Sequence, residues 1–136
     1  MISQRLYRSI SLLLACAFAV VGLTFLTFPD AVIQVFNNAS RQVGMMQTPS
    51  SGHGFYLVLA VGYMYVVAVL AFLMYRHPGN GLMPVLLVNA KAASSILSFL
   101  FLIVSHPYLI YLANGIVDGI IALGVFMMQS RALKVQ

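Results

Sequence analysis

The chain has 136 residues, of which 62% are hydrophobic and only 7% are charged. Soluble domains carry about 25% charged residues, so this composition excludes an ordinary soluble domain and indicates a membrane protein. The formal net charge is +5, but the basic residues flank apolar runs instead of forming a stripe. That distribution argues against nucleic-acid binding and indicates orientation in a membrane.

Four apolar runs follow one another along the chain, over residues 9–28, 55–75, 82–104 and 108–128. At ~1.5 Å per residue, a helix of about 20 residues crosses a hydrocarbon core of ~30 Å. The strands of a membrane barrel would alternate apolar and polar residues, and these runs do not alternate. The sequence therefore predicts an all-α integral membrane protein, a single domain over residues 1–136, with four antiparallel transmembrane helices.

The first run follows a short basic start, a pattern shared by signal peptides and by first membrane spans. We favour a span, because the apolar region of a signal peptide is only about 7–15 residues long. The longest connection, residues 29–54, opens with Pro29 and Asp30 and continues as AVIQVF. Proline at the first position and an acidic residue in the first turn suit a helix N-terminus. We therefore predict a short interfacial helix in this connection.

The basic residues predict the orientation of the chain. With four spans, one side of the membrane receives Arg5, Arg8, Arg76, Arg131 and Lys134. Arg41 alone falls on the other side. By the positive-inside rule both termini then lie in the cytoplasm, and the long connection faces outward.

Lys91 and Asp118 are the only charged residues inside the four apolar runs. Lys91 lies about 14 Å into its span and Asp118 about 15 Å into the next, counted from opposite sides at ~1.5 Å per residue. Both depths fall near the middle of the bilayer, where an unpaired charge costs at least ~2.5–3.5 kcal/mol. We therefore expect the two side chains to contact each other.

Polar and small residues accompany this pair at helical spacing. The predicted polar seam comprises Lys91, Asp118, Asn114, Asn89, Ser94, Ser95 and Ser98. Small residues that would let the two helices approach closely are Gly115, Gly119 and Ala90. Two interpretations stay open for the pair: a structural brace between helices, or an ion- or proton-coupled site or polar headgroup pocket.

No catalytic or metal motif is recognisable, and no cofactor is predicted. His53 and His106 on the outer side are weak candidates for a surface metal site, since they lie in turns beside glycine and proline. Cys16 is the single cysteine, which excludes an intrachain disulfide and a cysteine metal cluster. Classical nucleophile and phosphate-binding motifs are also missing, so an enzyme is the less favoured interpretation.

The second half of the chain, from about residue 52 to residue 128, resembles small bacterial four-helix membrane proteins of the DoxX-like type. The likeness lies in KAASSILSFLF, residues 91–101, in VDGIIALGVFM, residues 117–127, and in a glycine-rich entry to the second span. The resemblance implies a bacterial cytoplasmic membrane and, for some members, association with quinone-linked redox complexes. This chain has no acidic residue in its second span, so no specific activity carries over.

Two functions follow as expectations. The first is a non-catalytic accessory or assembly subunit of a larger membrane complex, with the lipid bilayer and a membrane protein, or further copies of itself, as partners. The second is a small transporter, channel or lipid- or quinone-binding protein that uses the seam around Lys91 and Asp118.

Overall fold

The computed structural model describes residues 3–49 and 54–132. The five helices of this described part are α1 (Gln4–Thr27), α2 (Pro29–Val43), α3 (Gly54–Arg76), α4 (Leu82–Val104) and α5 (Leu109–Ala132). All except α2 are long and apolar enough to cross a membrane. The prediction of an all-α fold with four helices of spanning length is therefore confirmed.

Two of the long helices extend beyond the apolar runs. α1 begins at Gln4, before the predicted start, because the Ser3 side chain accepts a hydrogen bond of 3.2 Å from the Leu6 backbone N–H. Such a cap satisfies one of the backbone N–H groups that a helix start leaves without a partner. α5 likewise runs past residue 128, to Ala132. The apolar run predicts which residues of a helix can lie in lipid, whereas backbone hydrogen bonds and caps determine at which residue the helix begins and ends.

α2 follows α1 almost directly, with Phe28 between them. Pro29 is at its first turn and Asp30 follows, as the sequence predicts for a helix start. The helix ends at Gly44, which has the left-handed φ of 70° that glycine adopts without steric cost. α2 is thus 15 residues long, well beyond the AVIQVF segment, and its position relative to a bilayer stays a prediction.

The segment after α2 folds back along it. The Asn37 side-chain amide donates to the Thr48 carbonyl at 2.9 Å, and the Asn37 Oδ1 accepts from the Thr48 N–H at 2.7 Å. Met46 then pairs with Tyr108 next to the start of α5. These contacts tie residues 44–49 to both α2 and the start of α5, at the end of the bundle opposite to the start of α1 and the end of α5.

The long helices pack as two antiparallel pairs, α1 with α3 and α4 with α5, and α3 joins the pairs by packing on α4. At one end Arg8 Nε donates to the Tyr75 carbonyl at 3.2 Å. Gln129 Nε2 donates to the Gly81 carbonyl at 3.3 Å, which brings the end of α5 to the start of α4. We call this the basic end, since Arg5, Arg8, Arg76 and position 131 all belong to it.

Large buried side chains are concentrated in the half of the bundle nearest the basic end. They are Tyr7, Phe18, Val67, Met74, Leu87, Val125 and Met128, with Ala15 and Ala71. In the other half, the buried residues described on the four long helices are Gly22, Ser95, Ser98 and Gly115. The bundle is therefore packed with bulky side chains on one side of its middle and with small polar or glycine residues on the other.

Candidate functional site

Lys91 and Asp118 lie at the boundary between these two halves. Lys91 Nζ is 2.8 Å from Asp118 Oδ1, a distance typical of a charge-assisted hydrogen bond. Lys91 is 1% exposed and Asp118 is 2% exposed. The second carboxylate oxygen, Asp118 Oδ2, is buried and has no hydrogen-bond partner in the described part of the chain. Within residues 3–49 and 54–132, Lys91 is thus the main hydrogen-bond partner of the Asp118 carboxylate.

Two aromatic rings complete the surroundings of Lys91. Its Nζ lies 4.5 Å from the centre of the Phe18 ring on α1 and 5.0 Å from the centre of the Tyr63 ring on α3. Ammonium groups within ~6 Å of a ring centre are attracted to the negative face of the ring. Lys91, on α4, therefore contacts side chains of α1, α3 and α5 at one point, and holds all four long helices together.

Hydrogen bonds between α4 and α5 continue from this point away from the basic end. Ser95 Oγ donates to the Gly115 carbonyl at 2.7 Å. Asn114 Nδ2 donates to Ser94 Oγ at 3.1 Å and to Ser98 Oγ at 2.8 Å. The structure thus brings Lys91, Asp118, Asn114 and the three serines of the predicted seam into one connected strip.

Asn89 does not join this strip. It is exposed, and its side-chain amide donates to the Val85 carbonyl one turn back in its own helix, at 2.8 Å. Residues two apart on a helix point to nearly opposite faces, because the helix has 3.6 residues per turn. Asn89 shares the depth of Lys91 but not its face.

Gly115 and Gly119 face α4, as expected for residues of a close helix contact. A Cβ atom on Gly119 would lie 3.0 Å from Ser95 Oγ, and one on Gly115 would lie 3.1 Å from the Phe99 ring. Ala90 is placed differently. Its carbonyl accepts a hydrogen bond of 3.0 Å from the Tyr63 hydroxyl, so it serves the contact with α3 and not the contact with α5.

The candidate metal ligands do not form a site in the described residues. His53 lies outside the described ranges. His106 is exposed and its ring is 5.4 Å from the Tyr108 ring. Residues 3–49 and 54–132 contain no group of three His, Cys, Asp or Glu side chains able to hold a metal ion.

A groove of about 410 Å³ opens beside the strip, in the half of the bundle away from the basic end. Its floor is one face of α4, and Tyr63 of α3 and Tyr111 of α5 form its sides. The lining residues are Tyr63, Ala90, Ala93, Ser94, Leu97, Ser98, Phe101 and Tyr111. None of them carries a charge, so the groove offers hydroxyl groups and apolar surface.

Sequence reasoning missed Phe18 and the role of Tyr63. A phenylalanine inside an apolar run carries no signal of its own, since most such residues face lipid or core. Tyr63 did offer a signal, because a tyrosine deep in a span needs a hydrogen-bond partner. The position of a phenylalanine or a tyrosine in the sequence does not show which neighbouring helix its side chain contacts.

Comparison of the chain with protein-family models, with curated proteins and with solved structures found no match. The resemblance to DoxX-like proteins therefore stays a prediction.

Proposed function

We propose that the protein is a non-catalytic subunit that assembles with a larger complex in the bacterial cytoplasmic membrane. The observation that carries this proposal is the enclosure of Lys91 and Asp118, which tie four helices together and are almost fully covered. With its intramembrane charges used for internal contacts, the bundle presents lipid and partners with apolar side chains. Exposed examples on each long helix are Leu13, Leu59, Ile103 and Ile120.

The proposal includes an orientation with both termini in the cytoplasm. Its support is the grouping of Arg5, Arg8 and Arg76 at the basic end, while Arg41 is at the opposite end of the bundle. Lysine and arginine are enriched in cytoplasmic segments. The bacterial cytoplasmic membrane itself rests on the resemblance of residues 91–101 and 117–127.

A transporter or channel that works through Lys91 and Asp118 has weaker support. A conducted ion or proton needs polar groups that a path can reach, and these two side chains are enclosed by Phe18, Tyr63 and their own contact. One lysine–aspartate pair also differs from the chains of carboxylates and histidines that relay protons through membranes. This geometry favours the structural interpretation. We call the Lys91–Asp118 pair, with the rings of Phe18 and Tyr63 around it, the brace.

Extraction from the native membrane tests the proposal. The tagged chain, released in polymer-bounded native nanodiscs and cross-linked, should give denatured bands well above its 14.8 kDa mass that contain a second membrane protein or further copies of itself. Asn89→Ala, a change at an exposed side chain bonded only within its helix, should leave that complex intact. Asp118→Asn, which removes the brace, should abolish it. A wild-type chain that migrates alone would refute the proposal.

A further inference from the structure

The groove on α4 lies beside the brace and shares one side chain with it, Tyr63. Along α4 its lining runs from Ala90 to Phe101, a distance of about 16 Å at ~1.5 Å per residue. The lining ends at a pair of rings, Phe101 and Tyr111, whose centres are 5.9 Å apart. At the other end stands Tyr63, which also contacts Lys91.

The size of the groove suits a small molecule. The groove holds about 410 Å³, which falls within the range of about 300–1,000 Å³ that is typical of small-molecule sites.

The polar atoms of the groove lie at the depth of the hydrocarbon core. Ser94 is half-way along α4, and Ser98 lies six residues before its end, or about 9 Å at ~1.5 Å per residue. The headgroup of a phospholipid stays at the interface, so it does not reach these hydroxyl groups. An occupant must carry its own polar atom into the hydrocarbon and must have no charge, because the lining has none.

Ser98 indicates which kind of polar atom fits. It is 8% exposed and lines the groove. Its oxygen accepts from Asn114 at 2.8 Å, and in the described part of the chain its hydroxyl hydrogen has no acceptor. A hydroxyl has one hydrogen to donate, so Ser98 can donate to an acceptor oxygen in the groove. Leu97 and Phe101 supply apolar contact beside it.

We propose that this groove binds a neutral, carbonyl-bearing hydrophobic molecule that is dissolved in the bilayer. The carbonyl oxygen accepts from Ser98, and the apolar body lies between Leu97, Ala93 and the Phe101–Tyr111 rings. This binding site adjoins the brace and shares Tyr63 with it, but it does not depend on the proposed assembly with a complex, since it needs only the folded bundle.

Photolabelling tests the site, with 4-decylbenzophenone as the probe. The wild-type chain is placed in nanodiscs of palmitoyl-oleoyl phosphatidylcholine and irradiated. The excited carbonyl takes a hydrogen from a neighbouring C–H group and the two carbons join, so the adduct carries the whole mass of the probe. Peptide mass spectrometry should find saturable adducts at Leu97 and Phe101, and an excess of tridecan-2-one should compete with them.

Matched variants separate the groove from general lipid contact. Ala93→Leu fills the groove and should suppress the saturable labelling, whereas Ala19→Leu, at an exposed alanine of α1, should not change it. Ser98→Ala removes one hydrogen bond and should raise the half-saturating probe concentration about fivefold, and Ser98→Thr should restore it. If Ala93→Leu loses its helical circular dichroism, Leu97→Trp takes its place.

Two results would overturn the proposal. One is labelling that rises linearly with probe and spreads over the lipid-facing residues of all four long helices, which means that the probe is in bulk lipid only. The other is saturable labelling that persists in correctly folded groove-filling variants. A wild-type chain that migrates alone in native nanodiscs would leave this site standing, so the two proposals fail separately.

Discussion

Removing both members of the central pair should destabilise the bundle little more than removing one of them. Asp118→Asn leaves the Lys91 ammonium buried without its carboxylate, and Lys91→Met leaves Asp118 without the partner 2.8 Å away. An unpaired charge in the middle of a membrane costs at least ~2.5–3.5 kcal/mol, and breaking a buried pair costs ~3–5 kcal/mol. Each single variant should therefore lose about 3 kcal/mol of unfolding free energy, roughly a hundredfold in the folded-to-unfolded ratio.

The double variant Lys91→Met/Asp118→Asn contains no unpaired charge and should lose little more than either single variant. The coupling energy of the cycle is then about 3 kcal/mol. The measurement is equilibrium unfolding in mixed dodecyl sulfate and maltoside micelles, followed by far-ultraviolet circular dichroism. Asn89→Ala is the control, and it should stay within about 0.5 kcal/mol of the wild type, as surface changes do. Additive losses, with a double variant about 6 kcal/mol less stable, would refute the brace.

Exchanging the charges should restore only part of the stability. Lys91→Asp combined with Asp118→Lys re-forms an opposite-charge pair, but it places the carboxylate against the faces of Phe18 and Tyr63. These ring faces attract a cation by up to ~2 kcal/mol each when desolvated, and they repel an anion. Full recovery in the same micelle assay would show that the rings do not select the sign of the charge at position 91.

Four further substitutions test particular contacts. Phe18→Leu removes one ring from the central lysine and should cost about 2 kcal/mol in the micelle assay; an unchanged unfolding free energy would argue against that ring contact. Gly119→Ala places a Cβ atom 3.0 Å from Ser95 Oγ and disturbs a hydrogen bond worth about 1 kcal/mol, which cancels the gain of about 0.5–1 kcal/mol in helix propensity, so this substitution should not stabilise the bundle. Gly124→Ala meets nothing within 4 Å and should stabilise by about 0.5–1 kcal/mol through helix propensity, so equal effects of the two substitutions would contradict the packing described. Asn37→Ala removes both bonds to the segment 44–49 and should speed its cleavage by proteinase K, with cleavage near residue 79 as the internal control.

Composition and run length were enough to predict the four long helices, because a helix must be about 20 apolar residues long to cross hydrocarbon. The helix bounds were less accurate. The Ser3 cap and the continuation of α5 to Ala132 depend on backbone hydrogen bonds, which apolarity does not record. The fold-back of residues 44–49 onto Asn37 left no periodic pattern and could not be predicted.

For the site, the sequence determined which residues share a depth and which share a helix face. Depth follows from the fixed rise per residue, and face from the fixed turn, so Lys91 and Asp118 could be set at one level and Ser94, Ser95 and Ser98 on one stripe. Depth by itself did not predict which residues join the site. Asn89 lies at the level of Lys91 but on the outward face of α4, and its side chain bonds only within that helix.

Only the tertiary structure decided what surrounds the pair. Phe18 belongs to a helix more than 70 residues away from Lys91 in the sequence, and its ring reaches the ammonium because α1 packs on α3 and α3 packs on α4. The uneven packing of the two halves, and hence the groove, likewise depends on how far neighbouring helices separate. A local sequence pattern does not encode that distance, which is set by the side chains of several helices together.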